Sequence, residues 1–341
     1  MKVAVVGAGR MGQLHARLLA NAEAVSQLVI ADADVDRAKA VAQGLGVEAA
    51  PNPMDALDSV DAAVIATPAE THAVLVKAAI ERGCPVLCEK PLAESLAAAI
   101  DLADYVERAG ILVKVGFQRR FDYGYRAARA AVIEGRLGRL YLMRLQTTEP
   151  GRPPSPKTNL FRNTAIHDFD LVRWLSREEV LSVYVDGADR ERPAFDPRFD
   201  PDTIIVSLRL TGGALAVVTV TRLSPDGYDV RAELMGSRDH VAVGWSKRTP
   251  VRSVERDSMT FGGEHWSSWQ TRFEEAYRSE LAGFLEAVAG GADFGATVQD
   301  AVAAHRIAEA ARQSLEQGSP VTLERSIATA DPRPRFPPGA S

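Results

Sequence analysis

The sequence predicts two domains in series: an α/β domain on a doubly wound parallel sheet, then an α+β domain on a mostly antiparallel, open-faced sheet. Three observations carry this. Short apolar runs alternate with helical patterns up to about residue 121. Beyond that point strands with period-two alternation dominate, as in Ile205-Val206-Ser207-Leu208-Arg209-Leu210. The length, 341 residues, suffices for two cores. The expected division is 1–121, then 122–328, then a loose Pro-rich tail over 329–341.

The first element is an apolar run, Lys2 to Val6, followed by Gly7-Ala8-Gly9-Arg10-Met11-Gly12 and the helical pattern of Leu14, Ala16, Leu18 and Leu19. This is G-x-G-x-x-G between strand and helix, the context that gives the motif its meaning. Gly7 permits the tight turn, Gly9 lets the backbone approach a pyrophosphate, and Gly12 allows close helix–strand packing. The helix N-terminus offers free N–H groups to the phosphates. The second strand, Leu28 to Ala31, ends in Asp32, placed to hydrogen-bond an adenosine ribose. Its charge repels a 2′-phosphate, so NAD is favoured over NADP, with Arg10 and Arg37 nearby to soften the preference. Asp34 reads as the cap of the next helix.

The alternation continues. Ala62 to Ala66 is a buried strand ending in Thr67-Pro68; Glu70 to Arg82 is a helix with His72 in its first turn, facing the cofactor or exposed. Pro85-Val86-Leu87-Cys88 is the next strand, and Glu89-Lys90-Pro91 leaves its carboxyl end, where open α/β sheets bind ligands. For Cys88-Glu89-Lys90-Pro91 taken alone, a solvated Glu-Lys pair on a loop is the plain alternative. Glu94 to Ala109 is a helix, Ile111 to Val115 the last strand, and Gly116-Phe117-Gln118-Arg119-Arg120-Phe121-Asp122 leads out.

Composition excludes several classes. The net charge of −5, with no basic run, argues against nucleic-acid binding. No apolar stretch spans a bilayer and no signal-peptide pattern opens the chain, so a cytoplasmic protein is expected. The two cysteines, Cys84 and Cys88, are about 13 Å apart on one strand and cannot bridge. No Cys/His or H-E-x-x-H spacing points to a metal.

In the second half, the helix Tyr125 to Glu134 precedes strands at Leu140 to Thr147, Leu181 to Val185, Thr203 to Leu210, Leu215 to Thr221 and Val230 to Met235, with His240 to Val243 as a further candidate. Helices at Trp269 to Ala289 and Val298 to Gln317 close it. Between the first two strands, Leu160, Thr164, Leu171 and Leu175 have helical spacing. Asn163 and His167, four apart, share a face there, and Asp170 is placed to join it. A histidine with a polar partner one turn earlier suits a general base; a buried structural histidine is the alternative.

These motifs together resemble the Gfo/Idh/MocA oxidoreductases. The match runs in order through Gly7–Gly12, Thr67-Pro68 with His72, Glu89-Lys90-Pro91, Gly116–Asp122 and His167-Asp168-Phe169-Asp170, and extends to Arg272-Phe273-Glu274-Glu275-Ala276-Tyr277. The inositol dehydrogenase branch is the nearest in pattern. The resemblance implies a Rossmann domain joined to a sheet domain across a cofactor cleft, and a cis Lys90–Pro91 bond. It implies that Lys90 holds the reacting hydroxyl and the nicotinamide ribose, and that His167 takes the hydroxyl proton as hydride leaves for NAD. The candidate catalytic residues are therefore Lys90, His167 and Asn163. Candidate cofactor contacts are Gly7, Gly9, Arg10, Met11, Gly12, Asp32, Arg37, Thr67, Pro68, His72, Glu89, Lys90 and Gln118. Candidate substrate contacts are Lys90, Gln118, Gln146, Asn163, His167 and Asp170. The expected substrate is an inositol, polyol or sugar.

One position departs from the family pattern, which commonly has Asp four residues before the histidine. Asn163 can orient an imidazole but cannot offset its charge; the same change in a serine protease triad costs about 10⁴-fold. The chain also lacks the Gly-Gly pair often found before this segment. A dehydrogenase, an NAD-binding sensor without turnover, and a glycoside-modifying enzyme with retained NAD all stand as readings. The apolar residues of strands such as Val217-Val218-Thr219-Val220 exceed what the few helices cover, so a homodimer or homotetramer through this sheet is expected.

Overall fold

The chain enters through β1 (Lys2–Val6), turns at Gly7, and continues into α1 (Arg10–Leu19). The computed structural model describes residues 1–323 apart from 59, 152–158, 191–199, 226, 252–263 and 293–294. The Pro-rich tail and the expected boundary at 328 lie outside the described residues. After α1 come β2 (Gln27–Ala31), α2 (Val35–Leu45), β3 (Glu48–Ala49), α3 (Pro53–Ala56), β4 (Ala62–Ile65), α4 (Ala69–Glu81), β5 (Val86–Glu89), α5 (Leu96–Ala109) and β6 (Val113–Gly116). The six strands run parallel in the order β3-β2-β1-β4-β5-β6. This is the doubly wound order whose reversal between β1 and β4 opens a crevice at the strands' carboxyl ends. β1, β4, β5 and β6 are buried almost throughout, as strands covered by helices on both faces must be. Cys84 and Cys88 are free and buried in this core.

Local chemistry sets the helix starts. Asp34 caps α2 by accepting from Arg37 N, Ser95 caps α5 through Ala98 N, and Asp122 caps α6 (Tyr123–Ile133). The pair β3 and α3 is too short to leave a periodic signal and was not foreseen.

A 3₁₀ turn (Gln118–Phe121) and α6 lead into β7 (Leu140–Pro150). A π-helical turn (Phe161–Ala165) runs directly into α7 (Ile166–Ser176), followed by β8 (Val180–Ala188), β9 (Thr203–Leu210), β10 (Leu215–Ser224), β11 (Asp229–Gly236) and β12 (His240–Val243). After them come α8 (Trp269–Val288), α9 (Val298–Gln317) and β13 (Val321–Thr322). The second sheet has the order β12-β11-β7-β10-β9-β8-β13 and is antiparallel except between β7 and β10. One face packs under α7 and α9; the other carries exposed Tyr184, Ile205 and Leu215. Val218 and Val220 face the covered side, so strand parity divides that apolar run between the two faces. α9 also packs on α5 and β6, and Val115 N donates to Ala296 O, so the C-terminal helix ties the two sheets together.

Candidate active site

The glycine turn has the geometry its motif requires. Gly7 has φ of +104°, and a Cβ there would lie 2.6 Å from Ala66 O. A Cβ on Gly12 would lie 1.6 Å from Gly7 O, so only glycine lets α1 pack this closely. A Cβ on Gly9 would meet nothing within 4 Å, so the backbone there is open to a pyrophosphate. Asp32 ends β2, where its Oδ2 accepts from Ala8 N at 2.7 Å and its Oδ1 from Asp34 N at 2.8 Å. Arg37 reaches Asp32 at 3.4 Å and Asp34 at 2.9 Å, so its charge is already shared between two carboxylates.

From this turn a cleft of about 500 Å³ runs along the carboxyl ends of the parallel strands. Of the candidates, Arg10, Met11, Thr67, Glu89, Lys90, Gln118, Asn163 and His167 line it. Arg10 also lines an adjoining groove of about 720 Å³, between α1, α2 and α8, that includes Arg37. The Lys90–Pro91 peptide is cis, as the resemblance implied. Lys90 Nζ donates to Asn163 O at 2.7 Å, joining the end of β5 to the π-helical turn. Burial pushes the Lys90 ammonium below its ordinary value, against the raising pull of Glu89 and Glu149. His167 stands edge-on to Phe117, with ring centroids 5.9 Å apart. Burial, then the Lys90 and Arg119 cations, hold the imidazole well below the usual histidine value, so it is neutral at physiological pH. Its Nδ1 is buried without a partner, which leaves Nε2 as the nitrogen open to the cleft.

Four expectations need correction. Asn163 contributes its main-chain carbonyl rather than an amide seated on His167, whose Nδ1 has no partner. The segment winds as a π turn, so the four-residue spacing does not bring the two side chains into register as an α-helix would. Asp170 does not line the cleft: it is buried on α7 in a two-pronged pair with Arg120, at 2.5 and 2.8 Å. Gln146 projects from the face of β7 opposite to Thr147 and Glu149, and bonds Asp229 and Thr148. His72 is neither exposed nor facing the cleft. It is buried, with Nδ1 2.9 Å from Pro91 O and Nε2 2.8 Å from Thr67 O, and so braces the loops after β4 and β5.

The sequence reading missed other cleft residues: Arg119, Glu149, Tyr228, Trp269 and Tyr277. Arg119 is fully buried and pairs with Asp168 at 2.7 Å, and Thr147 completes the Asp168 carboxylate at 2.8 Å. Arg222 meets Asp200 through two bonds of 2.7 and 2.8 Å. Glu89 lies 2.7 Å from His15 Nε2. Only Glu149 had an accessible signal: on β7 it has the same parity as buried Thr147, which marks the covered face.

Residues 1–117 match the oxidoreductase family with an NAD-binding Rossmann fold, and residues 125–242 match the GFO/IDH/MocA C-terminal domain. The chain is 37% identical to the myo-inositol dehydrogenase Hyg17 of Streptomyces leeuwenhoekii, over 94% of this chain and 98% of that one. It is 32% identical to the scyllo-inositol 2-dehydrogenase (NAD(+)) of Bacillus subtilis, over 95% and 96%. The crystal structure of a myo-inositol dehydrogenase from Corynebacterium glutamicum superposes with a TM-score of 0.85 at 31% identity, covering 96% of this chain and 99% of that one.

Proposed function

Since the chain belongs to the GFO/IDH/MocA oxidoreductase family, we propose that it is an NAD-dependent dehydrogenase that oxidises a ring hydroxyl of an inositol or a related polyol. The observation that carries this is the meeting of Lys90 and His167 in one cleft at the carboxyl ends of the parallel strands, beside the glycine turn. The open backbone at Gly9 and the carboxylate of Asp32 fit the pyrophosphate and ribose of NAD. Bound nicotinamide supplies the hydride acceptor. Lys90 donates a hydrogen bond to the reacting hydroxyl oxygen and stabilises the negative charge that gathers there. His167, neutral and open at Nε2, takes the hydroxyl proton as the C–H bond breaks. Phe117 and the buried floor keep water from the imidazole. Incubation with NAD and a panel of inositols, polyols and sugars, read by absorbance of reduced nicotinamide, is expected to give turnover on inositols. NAD binding with no reduction on any member would overturn the proposal.

Asp32 sets the cofactor preference in this reading. Asp32→Ser removes the charge facing a 2′-phosphate and frees Arg37 from one of its two carboxylates. Calorimetric titration is expected to show NADP affinity rising by about tenfold and NAD affinity falling, since a unit charge near a phosphate is worth about 1 kcal/mol or more. Tighter binding of NADP than of NAD by the unmodified protein would refute the assignment.

The open sheet face is proposed to pair with a second copy. Tyr184, Ile205 and Leu215 are exposed along it, each more than 40% accessible. Light scattering at micromolar concentration is expected to give a dimer or tetramer, and Ile205→Lys to weaken it. A monomer at that concentration would rule the pairing out.

A further inference from the structure

We propose that Glu149 is the counter-charge of this active site: from the end of β7 it keeps Lys90 cationic and hydrogen-bond-donating, and so supplies the negative charge that position 163 does not carry. The inference rests on the role given to Lys90 above and adds the residue on which that role depends.

The charges lining the cleft sort themselves. Arg119 is met by Asp168 and Arg222 by Asp200. Two carboxylates line the cleft, Glu89 and Glu149. Glu89 is engaged by His15, and its carboxyl packs against Gly116, where a Cβ would come within 3.2 Å. Glu149 has no cationic partner among the described residues; its Oε1 accepts from Thr164 Oγ1 at 3.3 Å. Thr164 belongs to the π turn whose Asn163 carbonyl receives Lys90 Nζ. Glu149 and Lys90 are thus held on the same turn, from β7 and β5, and neither forms an ion pair among the described residues. A bare ammonium in this setting tends to shed its proton, because burial penalises the charged form. Glu89 on its own strand and Glu149 across the cleft oppose that tendency, and Arg119 adds to it. His167 on α7, Tyr228 before β11 and Tyr277 on α8 face the same space, and none of them is an anion at neutral pH. A carboxylate on β7 and a carboxylate at position 163 both put one negative charge on the turn that receives Lys90.

Glu149 acts through Lys90 and is in that sense a positioning residue, so the test reads more than rate. In Glu149→Gln the alkaline limb of the kcat profile, set by loss of the Lys90 proton, is expected to move down by about one pH unit, with kcat at neutral pH down about tenfold. NAD affinity should stay within about twofold. Adding Asn163→Asp to Glu149→Gln returns a carboxylate to the turn that receives Lys90 and is expected to recover most of the loss. Independently of turnover, the ¹³C shift of Lys90 Cε, titrated without substrate, should report a lower amine pKa in Glu149→Gln. An unchanged Lys90 titration with an unchanged profile overturns the proposal, as does a fall in thermal stability with no change in either. If Lys90→Ala keeps full turnover, the role given to Lys90 fails instead, and the Cε titration still decides whether Glu149 governs its charge.

Discussion

Lys90→Ala and His167→Ala are each expected to lower kcat by about 10²–10⁴-fold, the range for a positioned acid or base, while NAD affinity changes by no more than a few-fold. In the proposed mechanism both side chains act on the reacting hydroxyl, while most of the dinucleotide's contacts fall to the glycine turn and Asp32. Equal losses in turnover and in NAD binding would mean that the two residues build the cofactor site and not the reaction. The pH profile gives a second check. His167 is the proposed base, and burial with two neighbouring cations depresses its pKa well below 6.5. A depressed pKa extends the neutral form to lower pH, so the acid limb of kcat/KM in the unmodified protein should lie below about 6.5. Asn163→Asp adds a carboxylate on the turn before His167, favours the imidazolium, and should move that limb upward. With Glu149 already supplying a negative charge, maximal turnover should change little. A large gain in turnover would instead mark the native relay as impaired by its asparagine.

The first sheet and its glycine turn were legible because their chemistry is local. A strand, a turn that only glycine can make and a helix start lie within twelve residues, and Asp32 follows at the next strand end. The outward strands of the second sheet were legible from parity, and β9 and β12 have the predicted limits. What failed was long-range. Nothing in Arg119-Arg120 and Asp168-Phe169-Asp170 states that the two arginines of one turn pair with the two acids of one helix, about fifty residues on. That pairing, not the i,i+3 spacing, decides that Asp170 turns away from His167. The π turn was equally hidden, because Phe161–Ala165 has ordinary helical composition and its extra residue per turn arises from tertiary packing. Gln146, a candidate substrate contact, is one position from Thr147, and one position in a strand exchanges the two faces.

The Arg119–Asp168 pair is where the largest loss of stability is expected. Its side chains are 2% and 0% exposed, and Asp168 also receives Thr147 Oγ1. Removing one partner strands the other as a buried charge, which costs about 3–5 kcal/mol. Asp168→Leu should therefore lower the thermal midpoint sharply, more than the loss of any surface ion pair, such as Arg136 with Glu134. The double variant Arg119→Met with Asp168→Leu removes both charges and should be more stable than either single variant, because a dry apolar pair needs no compensation. Function separates from stability here. Arg119 sits one residue after Gln118, and Asp168 one residue after His167, so the pair clamps the 3₁₀ turn to the start of α7 beside the cleft. The double variant, although folded, should keep NAD binding and lose turnover, since the loosened clamp displaces His167 relative to Lys90, and small misplacements at a reacting centre cost about 10²-fold. Thermal scans by circular dichroism with NAD titration on the same samples would check both parts. A double variant less stable than both singles would show that the pair is worth more than its desolvation cost, and full turnover in it would show that the clamp does not position the base.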